Sequence, residues 1–179
     1  MTRPAYDPAT ELVEVVDAEG RTIGVVPRRE MRARRLPHRC TWILVFNSRG
    51  ELFVHLRTPT KDIFPSHWDV TVGGVLAAGE SYDLGAQREV REELGVDVEL
   101  VRLFEFRHPP EAFQALGVVY RASHDGPFAL QREEIVRGEF VPLDVLPSLT
   151  AQQPFCGEGL AVLAEYQRRL GRAHFIPSA

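Results

Sequence analysis

Three glutamates within one short stretch constrain this chain more than any other sequence feature. The stretch runs from Gly74 to Val96 and reads G-V-L-A-A-G-E-S-Y-D-L-G-A-Q-R-E-V-R-E-E-L-G-V. Glu89, Glu92 and Glu93 stand at positions i, i+3 and i+4, so a helix would place them on one face. Like charges at this spacing destabilise an isolated helix, whereas Mg²⁺ prefers oxygen ligands. The spacing therefore favours a helix whose acidic face binds a divalent cation.

The neighbouring residues also predict this helix. Ser81 is a residue type that commonly caps helix N-termini, and Gly95 stands where a left-handed residue would end the helix. An apolar stripe at a spacing of four lies beside the acidic face and comprises Tyr82, Ala86, Val90 and Leu94. Gly85 projects onto the acidic face. Its missing side chain would let metal and phosphate approach the backbone, although chance explains a glycine there equally well.

The same stretch resembles the Nudix box at every specified position. Gly74 and Glu80 precede the run R-E-V-R-E-E-L-G-V, which extends from Arg88 to Val96. The alternative is an amphipathic, Glu-rich surface helix, and the agreement at so many specified positions argues against it. The resemblance implies a hydrolase of nucleoside diphosphates linked to another moiety, with a loop-helix-loop metal site.

Length and composition favour one soluble domain, and the resemblance implies that it is a single Nudix domain over residues 1–179. The formal net charge of −4 argues against broad nucleic-acid binding but not against a small-molecule diphosphate substrate. Cys40 and Cys156 form neither a metal spacing nor a disulfide framework, which favours the reducing cytoplasm. We find no apolar signal core at the N-terminus and no run long enough to cross a membrane. The sequence leaves the oligomeric state open, a homodimer included.

Strand and helix patterns alternate along the chain and predict an α+β fold. Residues 1–37 would form an N-terminal hairpin and a basic segment, and residues 38–170 would form the core around the box at 74–96. Predicted strands cover 12–16, 22–26, 41–46, 52–57, 68–72, 97–107, 115–122 and 139–141. Helices are predicted from Pro27 to before Pro37, within the box, and over 159–170. The resemblance implies a Nudix α/β/α sandwich with a mixed sheet and an N-terminal β-hairpin extension.

The basic segment before the core allows two interpretations. It contains six arginines, namely Arg28, Arg29, Arg32, Arg34, Arg35 and Arg39. They could grip phosphate or an acidic partner, because the guanidinium group suits both. They could equally belong to a solvated helix whose arginines extend into water.

Residues 56–74 resemble the corresponding stretch of the isopentenyl-diphosphate isomerases. The resemblance implies that Arg57 and Lys61 bind diphosphate, and the alternative is a pair of surface cations. The isomerase cysteine falls on Gly73 here and its neighbouring metal histidine falls on Val75. Protonation of an alkene needs an aligned acid, so isomerase activity is disfavoured.

Only one of the two other histidine ligands of the isomerases has a counterpart in this chain. His38 matches one of them, whereas Met31 stands at the position of the other. We therefore interpret His38 as a structural histidine. The three box acids match the hydrolytic branch of the family, and a non-catalytic diphosphate-binding regulatory module is the remaining alternative.

The resemblance also implies a ligand set for the metal. Glu89, Glu92, Glu93 and the main-chain carbonyl of Gly74 would hold Mg²⁺, or Mn²⁺ in its place. Glu92 and Glu93 would thereby be catalytic residues for the hydrolysis of a phosphoanhydride by water.

Several residues around the metal face receive supporting roles. Arg88 would orient a box carboxylate, and Glu80 would brace the loop against the helix. Because the family often supplies a general base from a late loop, Glu134 is our first candidate, ahead of Glu133, with Glu139 in reserve. A box glutamate could serve as the base instead.

Overall fold

Eight strands and four helices make up the part of the protein that the computed structural model describes, residues 8–108 and 114–173. The first seven residues, where no signal segment is expected, lie outside it. The strands are β1 Leu12–Val16, β2 Thr22–Pro27, β3 His38–Phe46, β4 Leu52–Arg57, β5 Trp68–Asp69, β6 Val101–Arg107, β7 Ala115–Ser123 and β8 Ile135–Val141. The helices are α1 Arg28–Ala33, α2 Tyr82–Leu94, α3 Leu146–Gln152 and α4 Gly157–Ala173, and a 3-10 turn covers Pro8–Thr10.

All eight strands join one sheet of mixed direction. The main path runs β2-β1-β3-β4-β5, with β7 beside β3, β6 beside β7, and β8 beside β4. The β3–β7 pair is parallel over nine residue pairs, from His38↔Ala115 to Phe46↔Ser123, and the other pairs are antiparallel. This mixed sheet confirms the predicted α+β class.

Helices cover both sheet faces, because alternate residues of the central strands point to opposite sides. Trp42 and Leu44 of β3 pack against α4 in one apolar cluster. Ile43 and Val45 pack against α2 in the other. The result is the α/β/α sandwich that the resemblance to the Nudix family implies. No helix within the described ranges is long and apolar enough to span a lipid bilayer.

The N-terminal hairpin extends the sheet and holds the loop that precedes α2. Met31 of α1 is buried in a small cluster with Val13 and Val75. The Ala78 amide donates to the Leu12 carbonyl at 2.8 Å, and the Gly79 amide donates to Glu14 at 3.1 Å. The segment before the core therefore packs directly on the box.

Four predicted strand boundaries are wrong by three residues or more. Strand β3 begins at His38 rather than at residue 41, and the other three have local causes. Strand β5 ends at Asp69 rather than at Val72, because the Asp69 carboxylate accepts the amides of Val70 and Thr71. Strand β6 begins at Val101 rather than at residue 97. The segment before it packs onto the α2 cluster, and Gln87 of α2 binds the Val98 carbonyl at 3.3 Å.

Strand β8 begins at Ile135, well before the predicted start at Glu139. Gly138 interrupts the strand pattern in the sequence. A glycine is needed there because a Cβ would come within 2.2 Å of the Phe53 ring. Helix α3, with Pro147 in its first turn, was not predicted.

Candidate active site

Helix α2 forms where the caps and the apolar stripe predict it. The Ser81 hydroxyl accepts the Leu84 amide at 3.3 Å. Gly95 ends the helix with a φ of 69°. Ala86, Val90 and Leu94 have no exposed surface and fix the helix against the sheet. This packing fixes the orientation of the helix and so of the face that carries the box glutamates.

The three box glutamates differ in exposure. Glu89 and Glu93 are each only 8% exposed, whereas the Glu92 side chain is 52% exposed. Burial raises the pKa of Glu89. Burial, followed by the negative charges of Glu89 and Glu134, raises the pKa of Glu93 well above its usual value. Ionisation of Glu89 and Glu93 therefore costs free energy, which a nearby cation would offset.

Arg88 ties the box loop to the helix. Its Nε and Nη2 donate to the two Glu80 oxygens at 2.8 and 2.9 Å, a bidentate pair. Its Nη1 donates to Glu89 and to Glu92, each at 3.0 Å. Glu80 also accepts the Ala77 amide at 3.0 Å. One guanidinium group thus fixes the loop and two of the three carboxylates.

The glycines of the box have different neighbours from those that the sequence suggests. A Cβ on Gly85 would lie 2.1 Å from the Leu76 side chain, so loop packing rather than ligand approach requires this glycine. A Cβ on Gly74 would lie 2.7 Å from a Glu89 oxygen. The Gly74 carbonyl accepts the Thr41 amide at 2.9 Å, which leaves its second lone pair for another partner.

The box residues suit a hard divalent cation in donor type. Within the described ranges, however, no three His, Cys, Asp or Glu side chains converge closely enough to hold a metal ion. Arg88 binds two of the carboxylates, Glu89 and Glu92. Carboxylate oxygens are the ligands that Mg²⁺ takes, and burial disfavours the charged form of Glu89 and Glu93. The donor set therefore fits, provided that side chains reorient.

A cavity of about 860 Å³, here called the outer cavity, opens over the acidic face. Glu89, Glu92 and Glu93 line one part of it. Cationic side chains line other parts, namely Arg28, Arg29, Arg32, Lys61 and Arg88. A cavity with both charge signs can hold a phosphate chain together with its cations.

Lys61 and Glu134 meet at the edge of this cavity. Their side chains form an ion pair between two loops that are far apart in sequence. The sequence predicts separate roles for them, as a phosphate ligand and as a base. Their pairing means that each fixes the position of the other.

Arg57 lies deeper than a surface cation. Its Nη2 donates to the Ile63 carbonyl at 3.0 Å, its Nη1 lies 3.9 Å from Asp69, and 17% of its side chain is exposed. Its Nε is buried and has no hydrogen-bond partner among the described residues. Arg57 therefore braces the loop over residues 58–67, with one buried N–H unpaired within the described ranges.

The remaining candidates lie in three different settings. Glu133 is exposed at the rim of the outer cavity, and its carbonyl accepts the Thr58 hydroxyl at 2.9 Å. Glu139 is exposed on β8, opposite Val54. His38 is 6% exposed and bonded to the Leu36 carbonyl at 2.9 Å, and burial lowers its pKa to about 4. Its surroundings fit a structural histidine.

The six arginines of the basic segment divide between the two interpretations. Arg28, Arg29 and Arg32 line the outer cavity. Arg34 is 62% exposed and paired with Glu30, and Arg35 is also exposed. Arg39 pairs with Glu14 at 2.8 Å. Sequence reasoning could not separate these roles, because only the packing of α1 decides which side faces the cavity.

Comparison with known proteins gives a consistent result over most of the chain. A family model of the NUDIX domain matches residues 36–158. A protein named an uncharacterized Nudix hydrolase from Pseudomonas aeruginosa is 38% identical over 87% of this chain and 93% of its own length. A similarly named protein from Streptomyces coelicolor is 38% identical over 87% of this chain and 88% of its own length.

The crystal structure of DR0079 from Deinococcus radiodurans is similar in fold. It superposes with a TM-score of 0.76 at 28% sequence identity, and the match covers 89% of this chain and 98% of the other. The likeness extends beyond the family match to the N-terminal segment.

Proposed function

This chain belongs to the Nudix hydrolase family, and we propose that it is a Mg²⁺-dependent pyrophosphohydrolase. The substrate is a nucleoside diphosphate-type compound or a related diphosphate, and the reaction cleaves a phosphoanhydride bond. One observation carries the proposal. The buried carboxylates of Glu89 and Glu93, with Glu92 beside them, share one cavity with several cationic side chains.

The acidic face and Gly74 would hold the divalent cation. When bound, the cation neutralises charge on the phosphates and lowers the pKa of water. Arg88 positions the face, because its contacts to Glu80, Glu89 and Glu92 fix loop and helix together. Binding of a cation by Glu89 and Glu92 would leave the bidentate contact between Arg88 and Glu80 in place, because that contact involves neither carboxylate.

Glu134 acts as the general base in this proposal. The carboxylate accepts a proton from the water whose oxygen attacks phosphorus. The bond between phosphorus and the bridging oxygen then breaks, and the leaving phosphate takes that oxygen. Lys61 supports this role, because its ion pair holds the Glu134 side chain beside the cavity.

A phosphate-release assay with a panel of diphosphate substrates tests the function. Turnover should require millimolar Mg²⁺ and stop in EDTA, and Mg²⁺ alone should raise the melting temperature of the apo protein. Binding of diphosphates without turnover of any substrate would favour the regulatory module instead. Absence of both turnover and Mg²⁺ stabilisation would contradict the proposal.

Gly73, which stands where the isomerases have their cysteine, does not support the isomerase alternative. Gly73 has a φ of 137°, and a Cβ there would lie 2.3 Å from the Thr41 carbonyl oxygen. A cysteine does not fit this backbone without movement of β3. Conversion of isopentenyl diphosphate by the purified protein is the result that would revive this alternative.

A further inference from the structure

We propose that Arg28 and Arg32 of α1 bind a second phosphate of the substrate, and that this phosphate is the free end of the chain. Its binding site is a small pocket, here called the inner pocket, that adjoins the outer cavity. The proposal rests on the hydrolase function proposed above and narrows its substrate to diphosphates and triphosphates with one unsubstituted end.

The sizes of the two compartments decide which part of a substrate each can take. The outer cavity measures about 860 Å³ and the inner pocket about 100 Å³. Sites for drug-sized ligands typically measure roughly 300–1,000 Å³. An organic part of nucleoside size therefore fits only the outer cavity. The compartments share their lining at Arg28, Arg32, Lys61, Gly73 and Gly74, so one extended ligand can occupy both.

Positive charge dominates the inner pocket. Its cations are Arg28, Arg32, Arg57 and Lys61, against the two carboxylates of Asp69 and Glu158. One Asp69 oxygen already accepts the amides of Val70 and Thr71 and the Thr71 hydroxyl. Glu158 accepts the Trp42 indole N–H at 3.0 Å. Both acids thus bind protein donors, and Arg57 and Lys61 have carboxylate contacts of their own, to Asp69 and Glu134. A compact anion would suit the donors of Arg28 and Arg32 that Asp69 and Glu158 do not bind.

Arg32 has an unused donor. Its Nε lies 2.9 Å from Asp62 without the alignment of a hydrogen bond, and this atom has no hydrogen-bond partner among the described residues. Only 22% of its side chain is exposed, so water reaches little of it. Arg28 has one carboxylate contact, to Glu11 at 3.3 Å, and is 19% exposed. A phosphate would satisfy donors on both, because the guanidinium fork matches phosphate geometry.

The arginines are fixed close to one another. Met31, between them on α1, is 1% exposed and anchors the helix to Val13 and Val75. Burial first, and then the positive charge of Arg28, lowers the pKa of Arg32. The charge of Arg57 acts in the same direction. These guanidinium groups repel one another, and a bound anion would offset that repulsion.

Both residues precede the segment that the NUDIX domain model matches, which begins at residue 36. The N-terminal segment of this chain therefore contributes substrate contacts that the core does not provide. It acts as part of the active site as well as a support for the box loop.

Binding of imidodiphosphate, a non-hydrolysable diphosphate, tests the anion site directly. Calorimetric titrations in EDTA would compare the parent with Arg28→Gln and Arg32→Gln. Arg34→Gln is the matched control, since Arg34 lies at the end of the same helix and is 62% exposed. We expect affinity to fall at least about tenfold in the first two variants and to stay within about twofold in the control.

Thermal melting separates ligand binding from a structural role. Apo Arg32→Gln should melt no lower than the parent, because the change removes repulsion, and Arg32→Lys should restore part of the affinity. Unchanged affinity in both glutamine variants would overturn the proposal. So would a lost affinity that accompanies a clear fall in melting temperature for both variants.

The free phosphate end is tested by a second pair of ligands. Arg32→Gln should weaken a nucleoside diphosphate at least about tenfold, but a diphosphate esterified at both ends much less. Equal losses for the two would contradict the free end. If no substrate is hydrolysed while imidodiphosphate binding still depends on Arg32, the hydrolase function fails and the anion site stands.

Discussion

Helices α1 and α2 bring opposite charges to the same cavity. Helix α2 presents Glu89 and Glu93, whose ionisation burial makes costly, and the charge of Glu89 adds to the cost at Glu93. Helix α1 presents Arg28 and Arg32, and burial and the charge of Arg28 disfavour the charged form of Arg32. Neither arrangement serves stability, because like charges are held close with little solvent. In the proposal each helix binds a ligand of the other sign, and a phosphate chain with its metal ion would supply both.

The largest expected effect comes from the acidic side of this comparison. Glu93→Gln keeps the size of the side chain and removes its charge, so we expect kcat to fall about 10³-fold. The raised pKa of Glu93 means that its folded-state charge costs stability, and the cost grows as pH rises from about 4.5 through the raised value. Apo Glu93→Gln should therefore melt higher than the parent at pH 7.

Turnover and melting in EDTA check both halves of this prediction. Glu99→Gln is the control, since Glu99 is an exposed carboxylate that follows the box. A folded Glu93→Gln protein with turnover near that of the parent would remove the metal assignment.

The two helices also differ in how far the sequence reveals them. Everything that defines α2 is local, because the caps Ser81 and Gly95 enclose both the apolar stripe and the acids at their helical spacing. In α1 the pattern is ambiguous, because the closely spaced arginines of the basic segment mark every side of the helix. Only the burial of Met31 against Val13 and Val75 turns Arg28 and Arg32 inward.

Other features escaped prediction for the same reason, since distant parts of the chain determine them. The pairing of Lys61 with Glu134 joins loops that approach only in the folded sheet. Strand β8 contains Gly138 because the Phe53 ring occupies the space of a side chain. The family resemblance supplied the fold and the box, whereas the cationic lining required the packed structure.

The second prediction concerns the base at the border between the acidic and the basic sides. Glu134→Gln should lower kcat about 10²-fold with little change in Mg²⁺ affinity, because the carboxylate accepts the proton of water. The acidic limb of the pH–rate profile should flatten. Glu133→Gln is the matched control, because Glu133 is its exposed neighbour. Equal, mild losses in both variants, with an unchanged profile, would return the base role to the box helix.

A smaller effect should distinguish the two cations beside α1. Arg57→Ala and Lys61→Ala should each raise KM about tenfold for a diphosphate substrate, because each removes a charged hydrogen bond. Lys61→Ala should lower kcat as well, since Glu134 loses its ion-pair partner. Arg57→Ala should leave kcat near the parent value. Parent KM and kcat in both variants would mean that the resemblance to the isomerase diphosphate site misleads.

The smallest expected effect concerns the pH dependence of stability and the buried side chain of His55. His55 is 2% exposed, and its Nδ1 has no hydrogen-bond partner among the described residues. Burial lowers its pKa to about 4, against about 6.5 for an exposed histidine. The unfolded chain therefore binds a proton that the folded protein does not, between pH 6.5 and 4. The contribution of His55 to the free energy of unfolding is fully present above this range and is lost as pH decreases through it.

At pH 5 this difference amounts to about 2 kcal/mol for His55. His55→Leu removes the titrating group, so the difference in unfolding free energy between pH 7 and pH 5 should shrink by that amount. Turnover at pH 7 should stay near the parent value, because His55 contacts no proposed ligand. Urea unfolding at the two pH values measures the first effect. An unchanged pH dependence would show that His55 is not buried as a neutral ring, and a large loss of turnover would make it part of the charged site.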